Sequence, residues 1–247
     1  MRRVGNRLLR WWLNRKKKPV HFPPRREPLD VSPWQQLLQR YVGDNGVVDY
    51  KGLARDEDQL DHFLDKVSQG PPAKDDPAQL AYWINAYNAF TIKAVLTFRP
   101  NHSIREADQL WKLGQTVFDR PFFSIAGKPC SLNTIEHQVL RIMQEPRIHF
   151  AINCASGSCP VLRPEAYEAH KLEGQLQEQA KRFLLDPNKN KIGDDQWALS
   201  PIFDWFADDF GGPEGVQSFI QGTTGKKGAS EVRFLPYDWS LNKKSDD

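Results

Sequence analysis

Cysteine is scarce in this chain, and so is any long apolar run. Cys130, Cys154 and Cys159 are its three cysteines in 247 residues. That is too few for the disulfide framework that staples small secreted domains, and the odd number leaves at least one thiol without an internal partner. No segment approaches the roughly 18 consecutive apolar residues that would span a bilayer. Leu8-Leu9 and Trp11-Trp12-Leu13 are split by Arg10 and followed by Arg15-Lys16-Lys17-Lys18, so they do not form the uninterrupted core of a secretory signal, roughly 7–15 apolar residues long. The chain also lacks a phosphate-cradling glycine loop, a dinucleotide fingerprint and a nucleophile-elbow serine, which removes the enzyme classes built on them. A second Cys/His pair is missing too, so neither a zinc site nor any cofactor is expected.

Acidic residues are absent from the first 26 positions, which hold ten Lys/Arg. The remaining 221 residues hold 24 basic and 31 acidic side chains, a net charge of −7 within a whole-chain +3. A mildly acidic body offers no nucleic-acid surface. Written as a helix, the tail groups Val4, Leu8, Trp11 and Trp12 on one face among arginines, the composition of an interfacial anchor; a plain basic tail is the alternative. The expected location is cytoplasmic, either free or peripheral to an anionic membrane surface through residues 1–18, with an envelope location left open.

Pro19, Pro23 and Pro24 separate this tail (1–30) from a single domain expected over 31–242, with 243–247 as a disordered end. Ser32-Pro33 reads as an N-cap and first turn for a helix through Tyr41, and a second helix runs from Asp56 to about Val67. The strongest helix runs from Asp76-Pro77 to Arg99-Pro100. Leu80, Ile84, Tyr87, Val95 and Phe98 line one face and Trp83, Phe90 and Ala94 another, so it is central and buried. Its Asn85 and Asn88 then need partners, since an unpaired buried amide costs about 1–3 kcal/mol. Phe122 to Leu132 reads as a hairpin, Asn133–Met143 as a helix with Asn133 and Glu136 at capping-box spacing, and Ile148–Cys154 as a strand. Pro164 to Leu185 reads as a long helix, Trp197–Leu199 as extended, Pro201–Phe210 as helical and Val232–Leu235 as a last strand. The class is α+β, a single domain with a buried central helix packed on a small sheet.

One stretch concentrates the reactive side chains: Pro146-Arg147-Ile148-His149-Phe150-Ala151-Ile152-Asn153-Cys154-Ala155-Ser156-Gly157-Ser158-Cys159-Pro160. Strand alternation would set Cys154 among Ile148, Phe150 and Ile152 and turn His149 to the other side. Cys159, in a small-residue loop where backbone amides can lower a thiol pKa, is then the first candidate nucleophile, with Cys154 second. A disulfide between the two and a plain structural role remain open. The candidate base is His137, with Glu136, Asn85 and Asn88 shaping the site; His149 and Tyr87 are candidate binding residues. Asp204, Asp208, Asp209 and Asp238 sit among Trp and Phe and read as structural.

Leu80–Leu96 (LAYWINAYNAFTIKAVL), Ser131–Arg141 (SLNTIEHQVLR) and Pro146–Leu162 (PRIHFAINCASGSCPVL) resemble the family known as domain of unknown function 547. Asp49-Tyr50, Leu199–Phe210 and Val232–Asn242 are similar to it as well, so the resemblance runs over about 34–242. The family occurs in bacteria and plants, and its name assigns no activity. Many bacterial members carry export signals, a pattern from which this chain departs. A more distant architectural likeness is to papain- and transglutaminase-like cysteine enzymes. The expected function is a thiol-dependent hydrolase or acyl-transfer enzyme acting on a peptide or small molecule. The alternative is a non-catalytic module that binds such a ligand in the same groove.

Overall fold

The computed structural model describes residues 18–73, 76–110 and 115–245. The expected amphipathic helix of the tail lies outside them, apart from Lys18. The packed body begins before residue 31. Val20 N–H donates to Gln138 O and Arg25 N–H to Pro71 O, while the Phe22 ring lies 5.1 Å from Trp83. At the other end Val48 bridges Lys243, and Lys244 N–H donates to Val48 O. The expected disordered end is therefore anchored at its start.

Helix α1 (Ser32–Tyr41) starts as expected, but its cap comes from Asp30, whose carboxylate accepts from Ser32 N–H at 2.9 Å. Short α2 (Tyr50–Leu53) and α3 (Glu57–Val67) follow. The central helix α4 (Asp76–Phe98) is buried at almost every position from Leu80 to Leu96. Hairpin β1 (Phe123–Ile125) and β2 (Lys128–Cys130) pairs antiparallel and packs on α4 through Phe123, stacked 3.6 Å from Phe90.

Helix α5 (Leu132–Gln138) is capped by Ser131, whose Oγ accepts from Thr134 N–H at 3.1 Å. Asn133 is thus inside the first turn rather than at the cap, and Glu136 is released from the capping-box role that its spacing suggested. The largest correction concerns Ile148–Cys154. It is not a strand: Ile148–Ala151 form a helical turn, α6, closed by His149 N–H to Pro146 O and Phe150 N–H to Arg147 O. Among the described residues no strand pairs with it, and its amides bond locally. The packing follows a helical period, with Ile148, Ala151 and Ile152 in the core around α4 and Phe150 in a second core.

The long helix is shorter than its composition suggests. It is α7 (Leu172–Leu185), because the amides just before it have side-chain acceptors instead: Ala166 on Gln35, Tyr167 on Asn85 and Glu168 on Gln175. Strands β3 (Lys191–Ile192), β4 (Gln196–Leu199) and β5 (Glu231–Phe234) form a sheet, antiparallel between β3 and β4 and parallel between β4 and β5. Pro201–Phe210 divides into α8 (Ile202–Trp205) and a 3-10 turn over Ala207–Phe210. Helix α9 (Gly212–Thr224) was not expected, because Gly211-Gly212-Pro213 reads as a stop; Pro213 instead occupies its first turn. The second core gathers Phe150, Phe183, Trp197 and Phe203. The architecture is α+β, and no helix of the described residues is long and apolar enough to cross a membrane.

Candidate functional site

A cleft of about 240 Å3 opens between the two cores. Its floor carries Cys154 and Cys159. One wall holds Tyr87, Glu136 and His137; His149 with Phe206 and the aromatic group Trp205, Tyr237 and Trp239 completes the lining. The two histidines and both cysteines therefore share one space, although strand alternation would have separated His149 from Cys154. Asn85 and Asn88 do not line it. Each spans two backbone groups: Asn85 donates to Tyr167 O and accepts from Tyr167 N–H, while Asn88 donates to Ala151 O and accepts from Asn153 N–H. They shape the cleft from behind by tying the loops to α4.

The two cysteines differ in burial and in electrostatics. Cys159 is buried at 5% exposure, and burial, with the neighbouring Cys154, pushes its thiol well above the usual range. Cys154 is half-buried at the cleft. Its sulfur lies 2.8 Å from the Cys159 sulfur, 3.1 Å from Ser156 Oγ and 3.4 Å from the Tyr237 hydroxyl. Ser156 donates to the Tyr237 oxygen at 3.0 Å, which leaves the tyrosine proton for the Cys154 sulfur. Hydrogen bonding, from Cys159 above all, outweighs desolvation and brings the Cys154 thiol down to about 6. Cys130 is the contrast, pushed up to about 12 by burial. His149 Nε2 is engaged by Asp209 at 2.7 Å.

The loop that presents these thiols is over-determined. Ala155 adopts a left-handed conformation, φ +63°, which costs a residue with a Cβ about 1–2 kcal/mol. Its N–H donates to Asn153 Oδ1 and its carbonyl accepts from Asn242 N–H. A C-terminal strap then clasps the loop: Gly157 N–H donates to Ser240 O, Ser158 N–H to Asp238 O, and Asp238 N–H to Ser158 Oγ. A Cβ at Gly157 would stand 2.9 Å from Asp238 Oδ2 and 3.1 Å from Ser240 Oγ, so a larger residue would have to push these strap side chains aside.

Glu136 is buried at 9% exposure on the cleft wall. Burial raises its carboxyl to about 7 although Arg141 pulls the other way, and Tyr87 OH reaches Oε2 at 3.4 Å. Arg141 approaches His137 Nδ1 at 3.2 Å. A guanidinium only donates, so His137 Nδ1 is the acceptor in this contact. Arg141 also grips Asp209 with Nε at 2.6 Å and Nη2 at 2.7 Å, and His149 Nε2 donates to the same carboxylate at 2.7 Å. Burial would raise the Asp209 carboxyl, yet these bonds hold it down to about 2. Desolvation lowers His149 despite Asp209, keeping the ring neutral.

Arg141, Asp209, Ser156 and Tyr237 were thus missing from the expected site. Only Arg141 left a local signal, since it stands four residues after His137 in the Ser131–Arg141 block, the spacing that brings two side chains together on a helical face. Asp209, read from its neighbours as structural, ties two walls of the cleft together. Among the described residues, no cluster of three or more His, Cys, Asp or Glu forms a metal-ligating group.

No curated protein and no solved structure matches the chain. A family match exists and is narrower than the resemblance read from the motifs, covering α4 through almost all of α7 and leaving Asp209 and the strap outside. Residues 73–184, which carry Tyr87, Glu136, His137, His149, Cys154 and Cys159, match the model of the family described as "Protein of unknown function, DUF547".

Proposed function

We propose that the cleft is the active site of a thiol-dependent hydrolase or acyl-transfer enzyme with Cys154 as nucleophile. The observation that carries the reading is a half-buried thiol brought to about 6 by Cys159, Ser156 and Tyr237. Such a group is largely thiolate at neutral pH, the form that attacks an acyl carbon. In the acylation step the Cys154 sulfur bonds to the carbonyl carbon, and the leaving group departs with a proton. Glu136, with a carboxyl near 7, is matched to give that proton and to take one from water or an acceptor amine in the second step. Trp205, Tyr237 and Trp239 favour a substrate with a flat or apolar group beside the acyl carbon.

The test is peptide-resolved alkylation by iodoacetamide against pH. Cys154 is expected to react with a midpoint near 6 while Cys130 stays inert, and Tyr237→Phe is expected to move that midpoint upward. Incubation with a panel of thioesters and aryl esters is expected to leave an acyl group on Cys154. The reading fails if Cys154 titrates as an ordinary thiol, or if the Cys154→Ala variant turns over the panel as fast as the parent protein. A non-catalytic groove is the second reading, favoured by the aromatic rim. It predicts ligand binding that is lost in Trp205→Ala and unchanged in Cys154→Ala.

A further inference from the structure

We propose that Cys154 and Cys159 form a reversible disulfide across the floor of the cleft, with Cys154 as the thiol that meets a hydroperoxide and Cys159 as the one that resolves it. Both are free thiols in the structure, with their sulfurs 2.8 Å apart. A disulfide bond is about 2.05 Å long, so the sulfurs must close by about 0.8 Å. Side-chain rotation can supply that movement, because the backbone is already folded back on itself. Ala155 makes the reversal, Cys159 N–H bonds Ser156 O at 3.1 Å and Cys154 N–H donates to Cys159 Sγ at 2.9 Å. The strap holds Gly157 and Ser158 in place, so little chain entropy remains to be lost on closure.

The two sulfurs are not equivalent, and the difference sets the order of events. Both cysteines line the cleft floor, but Cys154 is half-buried whereas Cys159 is only 5% exposed. An oxidant entering the cleft reaches Cys154 first. Its thiolate attacks one peroxide oxygen, the O–O bond breaks, and the departing alkoxide or hydroxide takes a proton. Cys154 is then a sulfenic acid. The Cys159 sulfur attacks the Cys154 sulfur, the S–S bond forms, the S–O bond breaks, and the leaving hydroxide departs as water with the Cys159 proton. In sum two thiols and one hydroperoxide give one disulfide, one alcohol or water, and one water. The peroxide gains the two electrons that the thiols lose. A dithiol reductant returns the pair by exchange, becoming a disulfide itself.

The disulfide needs no acyl chemistry. Only its consequence, silencing of the nucleophile, rests on the proposed enzyme, so the experiment reads mass and thiol reactivity. The whole protein is treated with hydrogen peroxide, blocked with N-ethylmaleimide and mapped. The expected product has lost two hydrogens and carries a Cys154–Cys159 crosslink. Alkylation of Cys154 is expected to fall at least roughly tenfold and to return with dithiothreitol. In Cys159→Ser and Cys159→Ala, Cys154 is expected to gain oxygen atoms instead, because nothing resolves the sulfenic acid. The proposal is overturned if the parent protein accumulates sulfinic acid on Cys154 without a crosslink, if the crosslink involves Cys130, or if both thiols remain alkylatable at doses that oxidise glutathione.

Discussion

Replacing Asp209 with alanine is expected to lower the unfolding free energy by about 3–5 kcal/mol, the cost of removing one partner from a buried charge pair. The Asp209 side chain is 19% exposed, Arg141 12% and His149 1%, so solvent does little to screen the loss. Both ends of the bidentate Arg141 grip go at once, and so does the acceptor for His149 Nε2–H. For a domain of this size the change corresponds to a melting temperature lower by roughly 10 °C. Asp209→Asn, which keeps the shape and one acceptor, is expected to fall between the two. The effect also has a pH signature. Asp209 titrates near 2 in the folded state against an ordinary 3.8, so the unfolded chain takes its proton first as pH falls. The stabilisation is complete above about 4 and is lost as pH falls toward 2. Differential scanning calorimetry across that range should show parent and variant converging. Equal melting temperatures at pH 7 would remove the network from any account of how the cleft is held.

Glu136→Gln is expected to act in the opposite direction on stability. The folded protein keeps the Glu136 proton up to about 7, whereas the unfolded chain releases it near 4.5. Between these values the native state binds more protons than the unfolded state, so stability falls as pH rises, by about 3 kcal/mol in total. Glutamine is uncharged at every pH and fills almost the same volume. The variant should therefore be more stable than the parent at pH 8, nearly equal at pH 4, and flat in between. If Glu136 also moves protons in the cleft, the stabilised variant is the one that loses acyl transfer, the trade expected where an active site stores an unfavourable charge. A parent protein whose chemical-denaturation midpoint does not change between pH 4.5 and 7 would contradict the assignment.

Much of the scaffold was legible in the sequence, and the reasons differ by element. Helix α4 declares itself through apolar residues on all sides between two prolines, and the hairpin through Ala126-Gly127-Lys128 between extended flanks. The segment Ile148–Ile152 misled because a run of alternating apolar residues also satisfies one turn of a helix packed between two cores. Only the absence of a pairing strand decides between them, and that is not a local property. The same strand reading placed Cys154 in the core and so put Cys159 first among the candidate thiols. Glu136, His137, His149 and both cysteines were visible as chemistry-bearing types. Their electrostatics were not, because these depend on Asp209 and Tyr237, which lie 60 and 83 residues from their partners His149 and Cys154. Spacing along a chain carries no information about contacts of that kind.

The strap over Asp238–Asn242 gives the protein a sense of time. The thiols leave the ribosome about eighty residues before the segment that clasps their loop and brings Tyr237 to Cys154. At roughly 5–20 residues per second, that interval is on the order of ten seconds. Through it Cys154 lacks a donor that lowers its pKa, and its loop lacks the bonds that set Ala155 in place. The nascent chain thus carries the Cys154–Cys159 pair without Tyr237, and the full set of donors around Cys154 assembles only after residues 237–242 fold back over the loop.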